Sequence, residues 1–208
     1  MTADLYELPM FPLGRCALPG ETVPLRIFEP RYLEMVERVE AGSGEFGIVL
    51  ISRGWEVGGG DDRFAVATSV RIVRDVPLGD DQRAIVALAL RRVSVVEWLD
   101  EAPYPRALVS DAASNDTPNG LDLAPHLRAV RRLYALASEL GADVAAVELT
   151  TVEDSSSGLW KLASLVPLAE LDRQRLLETS EVAERSRVLG AMIDDAIQEL
   201  ELRLGQGG

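Results

Sequence analysis

The sequence predicts an α+β fold in two parts, a β-rich N-terminal subdomain over residues 1–111 and a helical bundle over 121–208. Three observations predict it. Short apolar runs with period-two alternation fill the first part and give way only once to a three-to-four spacing. Residues 112–120, Ala-Ala-Ser-Asn-Asp-Thr-Pro-Asn-Gly, carry no large apolar side chain and read as a linker. Beyond them every apolar stripe has helical spacing.

In chain order, residues 6–13 and 23–28 are apolar runs punctuated by Pro9, Pro12, Pro19, Gly20 and Pro24, which suits edge strands and turns. Pro30 then opens a helix over 30–41, with Tyr32, Leu33, Met35, Val36 and Val39 on its apolar side and Gly42 as its stop. Strands follow at 46–51, 64–74, 84–90, 93–98 and 104–110. The turns between them carry Gly58-Gly59-Gly60-Asp61-Asp62 and Leu78-Gly79-Asp80-Asp81. Many short strands with one helix among them describe a small curved sheet or pseudo-barrel. In the second part, Leu127, Val130, Leu133, Tyr134, Leu136, Ala137 and Leu140 form one stripe ended by Gly141. Shorter helices are expected at 158–165 and 168–177, the first stopped by Val166-Pro167. Ser180, with Glu181 and Glu184 behind it, marks the start of a last long helix carrying Leu189, Met192, Ile193, Ile197 and Leu204.

Scarce residue types narrow the chemistry. With 208 residues, 47% of them hydrophobic, the chain is long enough for a core without metals or disulfides. Cys16 is the single cysteine, so no internal disulfide forms, and His126 the single histidine, so a multi-histidine metal site is excluded; no cofactor is expected. Lys161 is the single lysine among 21 basic residues and lies outside any Gly-rich phosphate loop, which excludes a P-loop NTPase. The net charge is −13, with 19 acidic against 12 basic residues before Gly120 and 15 against 9 after it. Acidity in both halves disfavours nucleic acid and anionic membrane as partners. No basic leader and no run of 18 apolar residues is present in the sequence, and a soluble, cytoplasmic protein is expected.

Catalytic parts are few. A catalytic triad or dyad has to recruit Lys161, on a short amphipathic helix, His126, at the start of a helix, or Cys16, in a Pro/Gly-rich stretch. The acidic pairs Asp61/Asp62, Asp80/Asp81 and Asp194/Asp195 fall in turns or on a helix surface and read as solvated faces. An enzyme using His126 or an acidic pair is therefore an alternative and not the leading reading. One segment differs. Pro24-Leu25-Arg26-Ile27-Phe28-Glu29-Pro30-Arg31-Tyr32 runs from a strand directly into a helix. Phe28 and Tyr32 are expected to pack inward there, and Glu29 and Arg31 to pair with each other or with free backbone groups.

This block, with Leu8-Pro9-Met10-Phe11-Pro12-Leu13, Pro19-Gly20-Glu21 and Phe46-Gly47-Ile48-Val49-Leu50, resembles the Lon protease N-terminal substrate-binding domain in the stand-alone form found in many bacteria. In the helical part, Leu162-Ala163-Ser164-Leu165-Val166-Pro167-Leu168 and Arg173-Gln174-Arg175-Leu176-Leu177-Glu178 are similar to the family's bundle. The resemblance implies a PUA-like pseudo-barrel followed by a bundle. It also implies a non-enzymatic protein- or peptide-binding module that engages unfolded or damaged polypeptide, in one form an adaptor for a separate protease. The ATPase and Ser-Lys peptidase of the full protease each need a lysine, and the one lysine here lies in the substrate-binding portion. Met10, Phe11, Arg31, Glu34 and Arg38 are the expected peptide-binding residues, on an apolar patch where sheet meets bundle, with the acidic surroundings favouring basic chains. Phe28, Glu29, Pro30, Arg31 and Tyr32 form the structural motif beside them. A PUA-like RNA binder is a further alternative, disfavoured by the charge.

Overall fold

The computed structural model describes residues 4–53, 62–79, 81–112, 121–142, 152–153 and 155–206. The elements are β1 (Leu5–Leu13), β2 (Thr22–Ile27), α1 (Pro30–Glu40), β3 (Glu45–Arg53), β4 (Asp62–Arg63), β5 (Val66–Pro77), β6 (Arg83–Leu99), β7 (Arg106–Asp111), α2 (Ala124–Glu139), α3 (Ser156–Leu165), α4 (Glu170–Glu178) and α5 (Val182–Gln206). They fall into two compact units, Met1–Ala113 with Glu170–Glu178, and Ser114–Ala169 with Thr179–Gly208.

The first unit is a mixed sheet whose pairing returns on itself. β1 pairs β7, β7 pairs β6, β6 pairs β5, β5 pairs β3, and β3 pairs β1 again in parallel, Met10 opposite Gly47 and Leu13 opposite Leu50. β4 extends β3, and β2 lies off this ring, bonded to the first half of β6. Because strand side chains alternate, β1 serves two cores. Leu8 and Met10 join Val49, Ala67, Val93, Ala107 and Val109 on one face, whereas Phe11 joins Phe46, Val70, Ile85 and the buried side of α1 on the other.

Two expectations change. Residues 84–90 and 93–98 are one strand, β6, and not two. The Arg91-Arg92 pair that interrupts the apolar pattern is satisfied on both faces. Arg91 donates to Glu45 and Asp111 at 2.8 and 2.9 Å, and Arg92 donates to the Leu177 carbonyl at 2.8 Å. The helix near 168–177, expected in the bundle, is α4 and belongs to the sheet unit. It docks through polar side chains that hydropathy does not register. Arg173 donates to the Cys16 carbonyl at 3.0 Å and to Glu21 at 2.5 Å, Gln174 donates to the Val66 carbonyl at 3.1 Å, and the Cys16 amide donates to Glu170 at 2.7 Å. The linker expectation at 112–120 lies, apart from Ala112, outside the described residues.

The second unit, among the described residues, contains α2, α3 and α5. Tyr134 of α2 donates its hydroxyl to the Leu165 carbonyl at 2.7 Å, and the Ser155 hydroxyl caps α3 by accepting from the Gly158 amide at 3.1 Å. Helix α5 starts at Val182, so Ser180 stands just outside the cap position; its carbonyl accepts from buried Arg185, whose guanidinium lies 4.3 Å from the Trp160 ring centroid.

Candidate functional site

A groove opens where β2 runs into α1, wholly within the first unit. Its local origin is plain in the sequence. Val23, Leu25 and Ile27 alternate inward, so Thr22, Pro24, Arg26 and Phe28 fall on the outward parity. Phe28 is accordingly 50% exposed. The expectation that it packs inward is corrected by the period of its own strand. Tyr32, four residues later and already on the helix, does turn in; it is 3% exposed, with its ring centroid 4.5 Å from that of Phe11.

Pro30 occupies the first turn of α1, where its missing N–H costs nothing. Glu29 is the N-cap but does not cap with its side chain; the carboxylate pairs with Arg31 at 3.0 Å, as expected, and the Arg31 guanidinium sits 4.5 Å from the Tyr32 centroid. The groove has a volume of about 230 Å³ and is walled by Phe11, Pro12 and Leu13 of β1, by the consecutive residues Pro24 to Phe28, and by Glu29 and Tyr32.

The five expected binding residues do not converge. Met10 is fully buried, and a Cβ on Gly47 opposite it would stand 2.5 Å from its sulfur, so it is an interior residue locked beneath the β1–β3 pairing. Phe11 is 9% exposed and forms the groove floor as part of the core. Arg31, Glu34 and Arg38 share one side of α1 by their spacing. Glu34 and Arg38 are exposed, and Arg38 lines a second concavity of about 250 Å³ with Gly42, Ser43, Tyr104 and Arg106. Sequence reasoning misses Pro24, Leu25, Arg26 and Ile27 as groove walls, although the strand alternation is a signal that exposes Arg26 and Phe28.

The groups expected as alternatives for catalysis are placed elsewhere. His126 donates from Nε2 to the Ser186 carbonyl at 2.8 Å, its Nδ1 is buried, and a Cβ on Gly190 would lie 3.3 Å from the ring, so it ties α2 to α5. Its lone pair reaches no solvent. Burial pushes the Cys16 thiol up to about 12, which leaves it a protonated, unreactive group. Lys161 is exposed on α3, and Asp194 and Asp195 are exposed on α5. Asp62 and Asp81 are exposed; Asp61, Asp80 and the Gly58–Gly60 turn lie outside the described residues. Among the described residues no cluster of three or more His, Cys, Asp or Glu side chains is arranged to hold a metal, and no helix is long and apolar enough to cross a membrane.

Residues 7–195 match the family model for the ATP-dependent protease La (LON) substrate-binding domain. The chain belongs to this family. The Lon substrate-binding domain is recognised across nearly the whole sequence: the chain is 32% identical to Lon protease 2 of Herpetosiphon aurantiacus over 207 residues, which is 96% of this chain and 25% of that protein. It is 28% identical to Lon protease 2 of Myxococcus xanthus, over 94% of this chain and 24% of that one. The chain thus spans about a quarter of the length of the curated relatives it matches. In structure it is similar to the Lon N-terminal domain protein from Xanthomonas campestris, with a TM-score of 0.69 and 27% identity over 89% of this chain and 98% of the other. The N-terminal domain of Mycobacterium avium complex Lon protease shares the fold, with a TM-score of 0.65 at 17% identity over 91% and 99% of the two chains.

Proposed function

We propose that this Lon-type domain is a non-enzymatic polypeptide-binding module, which holds unfolded or damaged chains at the groove beside Phe28 and offers them, as an adaptor, to a separate protease. The observation that carries the reading is the half-exposed Phe28 beside the Phe11–Tyr32 floor. A large aromatic left in water at the mouth of a concave apolar site is what capture of unfolded chain requires. The closed circuit of strand pairings supports a PUA-like pseudo-barrel in the first unit, and the packed α2, α3 and α5 support a helical bundle in the second. The acidity of both halves disfavours nucleic acid and anionic membrane as partners. Of the expected residues, Phe11 and Arg31 stay in this reading, as floor and as the partner that neutralises Glu29. Glu34 and Arg38 are kept as a flank along α1, and Met10 is not.

The test is capture of a permanently unfolded, reduced and alkylated model protein by the immobilised chain. Wild type is expected to bind it in preference to the native form, and Phe28→Asp to lose most of that binding. Equal binding by wild type and Phe28→Asp would remove the groove from the mechanism.

A further inference from the structure

The groove walls carry more information than their apolarity. A cavity lying over the face of a strand touches alternate residues, but this one touches five in a row, Pro24 through Phe28. It therefore runs along the edge of β2. That edge is unpaired: among the described residues β2 pairs β6 and nothing else. Pro24 has no N–H, so Pro24 opposite Val86 is a non-hydrogen-bonded pair, and the backbone groups of Thr22, Pro24 and Arg26 point away from β6. The Ala89 amide donating to the Glu21 carbonyl at 2.8 Å fixes the same alternation. Three carbonyls and two N–H groups, those of Thr22 and Arg26, thus face this edge of β2 without a strand partner among the described residues.

The charge along this edge is opposite to that of the chain. Arg26 is exposed and, among the described residues, its guanidinium bonds the neutral amide oxygen of Gln82, at 2.6 and 3.2 Å. The carboxylates at either end of β2 are engaged, Glu21 by Arg173 and Glu29 by Arg31. Among the described residues Arg26 has no carboxylate partner, and its charge stands two residues from Phe28 on the same parity. A second copy pairing through this edge would bring up a like charge, which discourages self-pairing. A segment carrying a carboxylate meets no such repulsion and forgoes only the hydrogen bond that Pro24 cannot donate.

We infer that β2 recognises its polypeptide by strand addition, taking an extended segment in which an acidic residue faces Arg26 and a bulky apolar residue two positions away packs on Phe28. This rests on the groove reading above and gives it a binding mode and a sequence preference, contrary in sign to what net charge alone suggests.

The probe is a fluorescein-labelled heptapeptide with a central aspartate and a phenylalanine two positions to either side, separated and flanked by serine and threonine, so that either strand direction places both contacts. Fluorescence anisotropy is expected to show binding that weakens at least several-fold when the aspartate is replaced by lysine, with the preference reversed on Arg26→Glu; Arg26 is exposed, so that variant keeps the fold. N-methylation of the aspartate and phenylalanine amides, compared with N-methylation of the serine and threonine amides, is expected to cost about tenfold in one set and little in the other, because an added strand offers only alternate N–H groups to its neighbour. No binding to wild type, indifference to charge, or equal sensitivity of the two amide sets overturns strand addition. If Phe28→Asp still abolishes capture of the unfolded protein in that event, the groove reading stands alone; if it does not, both fall.

Discussion

Phe28 and Met10 illustrate how differently two large apolar residues of neighbouring strands can be placed, one half-exposed at a groove and one in the core. Met10 sits at the β1–β3 contact facing a glycine, and Gly47→Ala would bring a Cβ within 2.5 Å of its sulfur and 3.2 Å of Leu8 Cδ2. Because Met10 is fully buried, the added methyl forces repacking, and a loss of about 1–3 kcal/mol is expected from urea denaturation. Phe28→Ala, at a half-exposed position, should shift the same transition by less than about 1 kcal/mol while weakening polypeptide capture. Cys16 makes a third contrast. With its thiol held up at about 12 by burial, alkylation by iodoacetamide should be slow in the native protein and fast in urea. The sequence shows Met10 and Phe28 alike as large apolar residues in proline-punctuated strands. What distinguishes them is strand parity, legible at Phe28 from Val23, Leu25 and Ile27, and the facing Gly47, which only the three-dimensional pairing reveals.

Helix α1 and the strands around it are legible from periodicity, since their core is apolar. The place of helix α4 and the continuity of β6 are not, because arginines hold them in place and a hydropathy pattern reads arginine as surface. The buried pair of Arg173 and Glu21 is the clearest case, with both side chains under 10% exposed. Arg173→Met leaves Glu21 as a buried carboxylate without its cation and should cost about 3–5 kcal/mol in chemical denaturation. Adding Glu21→Gln should recover part of that loss, which a double-mutant cycle measures. On the outer side of β6, Glu45 and Asp111 carry a pH signature. Burial works against ionisation of each, but hydrogen bonds outweigh it, from Arg71, Arg91 and Ser69 to Glu45 and from Tyr6 and Arg91 to Asp111, and both carboxyls are held below their ordinary values. Their stabilisation is complete above the unfolded carboxylate values near pH 4 and is lost as pH falls through the lower folded values. Arg91→Met should therefore lower stability at neutral pH and flatten its decline on the acid side, in urea midpoints followed from pH 7 to pH 2.

At the scale of the whole molecule, the α+β class, the family and the helical character of the second part are carried by patterns spread over the chain, and so are legible in the sequence itself. The groove is not, because it is assembled from one strand's edge, another strand's end and a helix start, brought together only by the fold. A net charge of −13 reports the average surface, while the groove's edge carries a lone arginine. Capture of unfolded polypeptide at the groove beside Phe28 is the role proposed for this Lon-type domain. Its most direct test is the affinity of wild type and Phe28→Asp for a reduced, alkylated model protein, with urea midpoints measured alongside. A loss of at least about tenfold in affinity with the midpoint nearly unchanged is expected; unchanged affinity, or no preference of wild type for the unfolded form over the native one, would overturn the proposal.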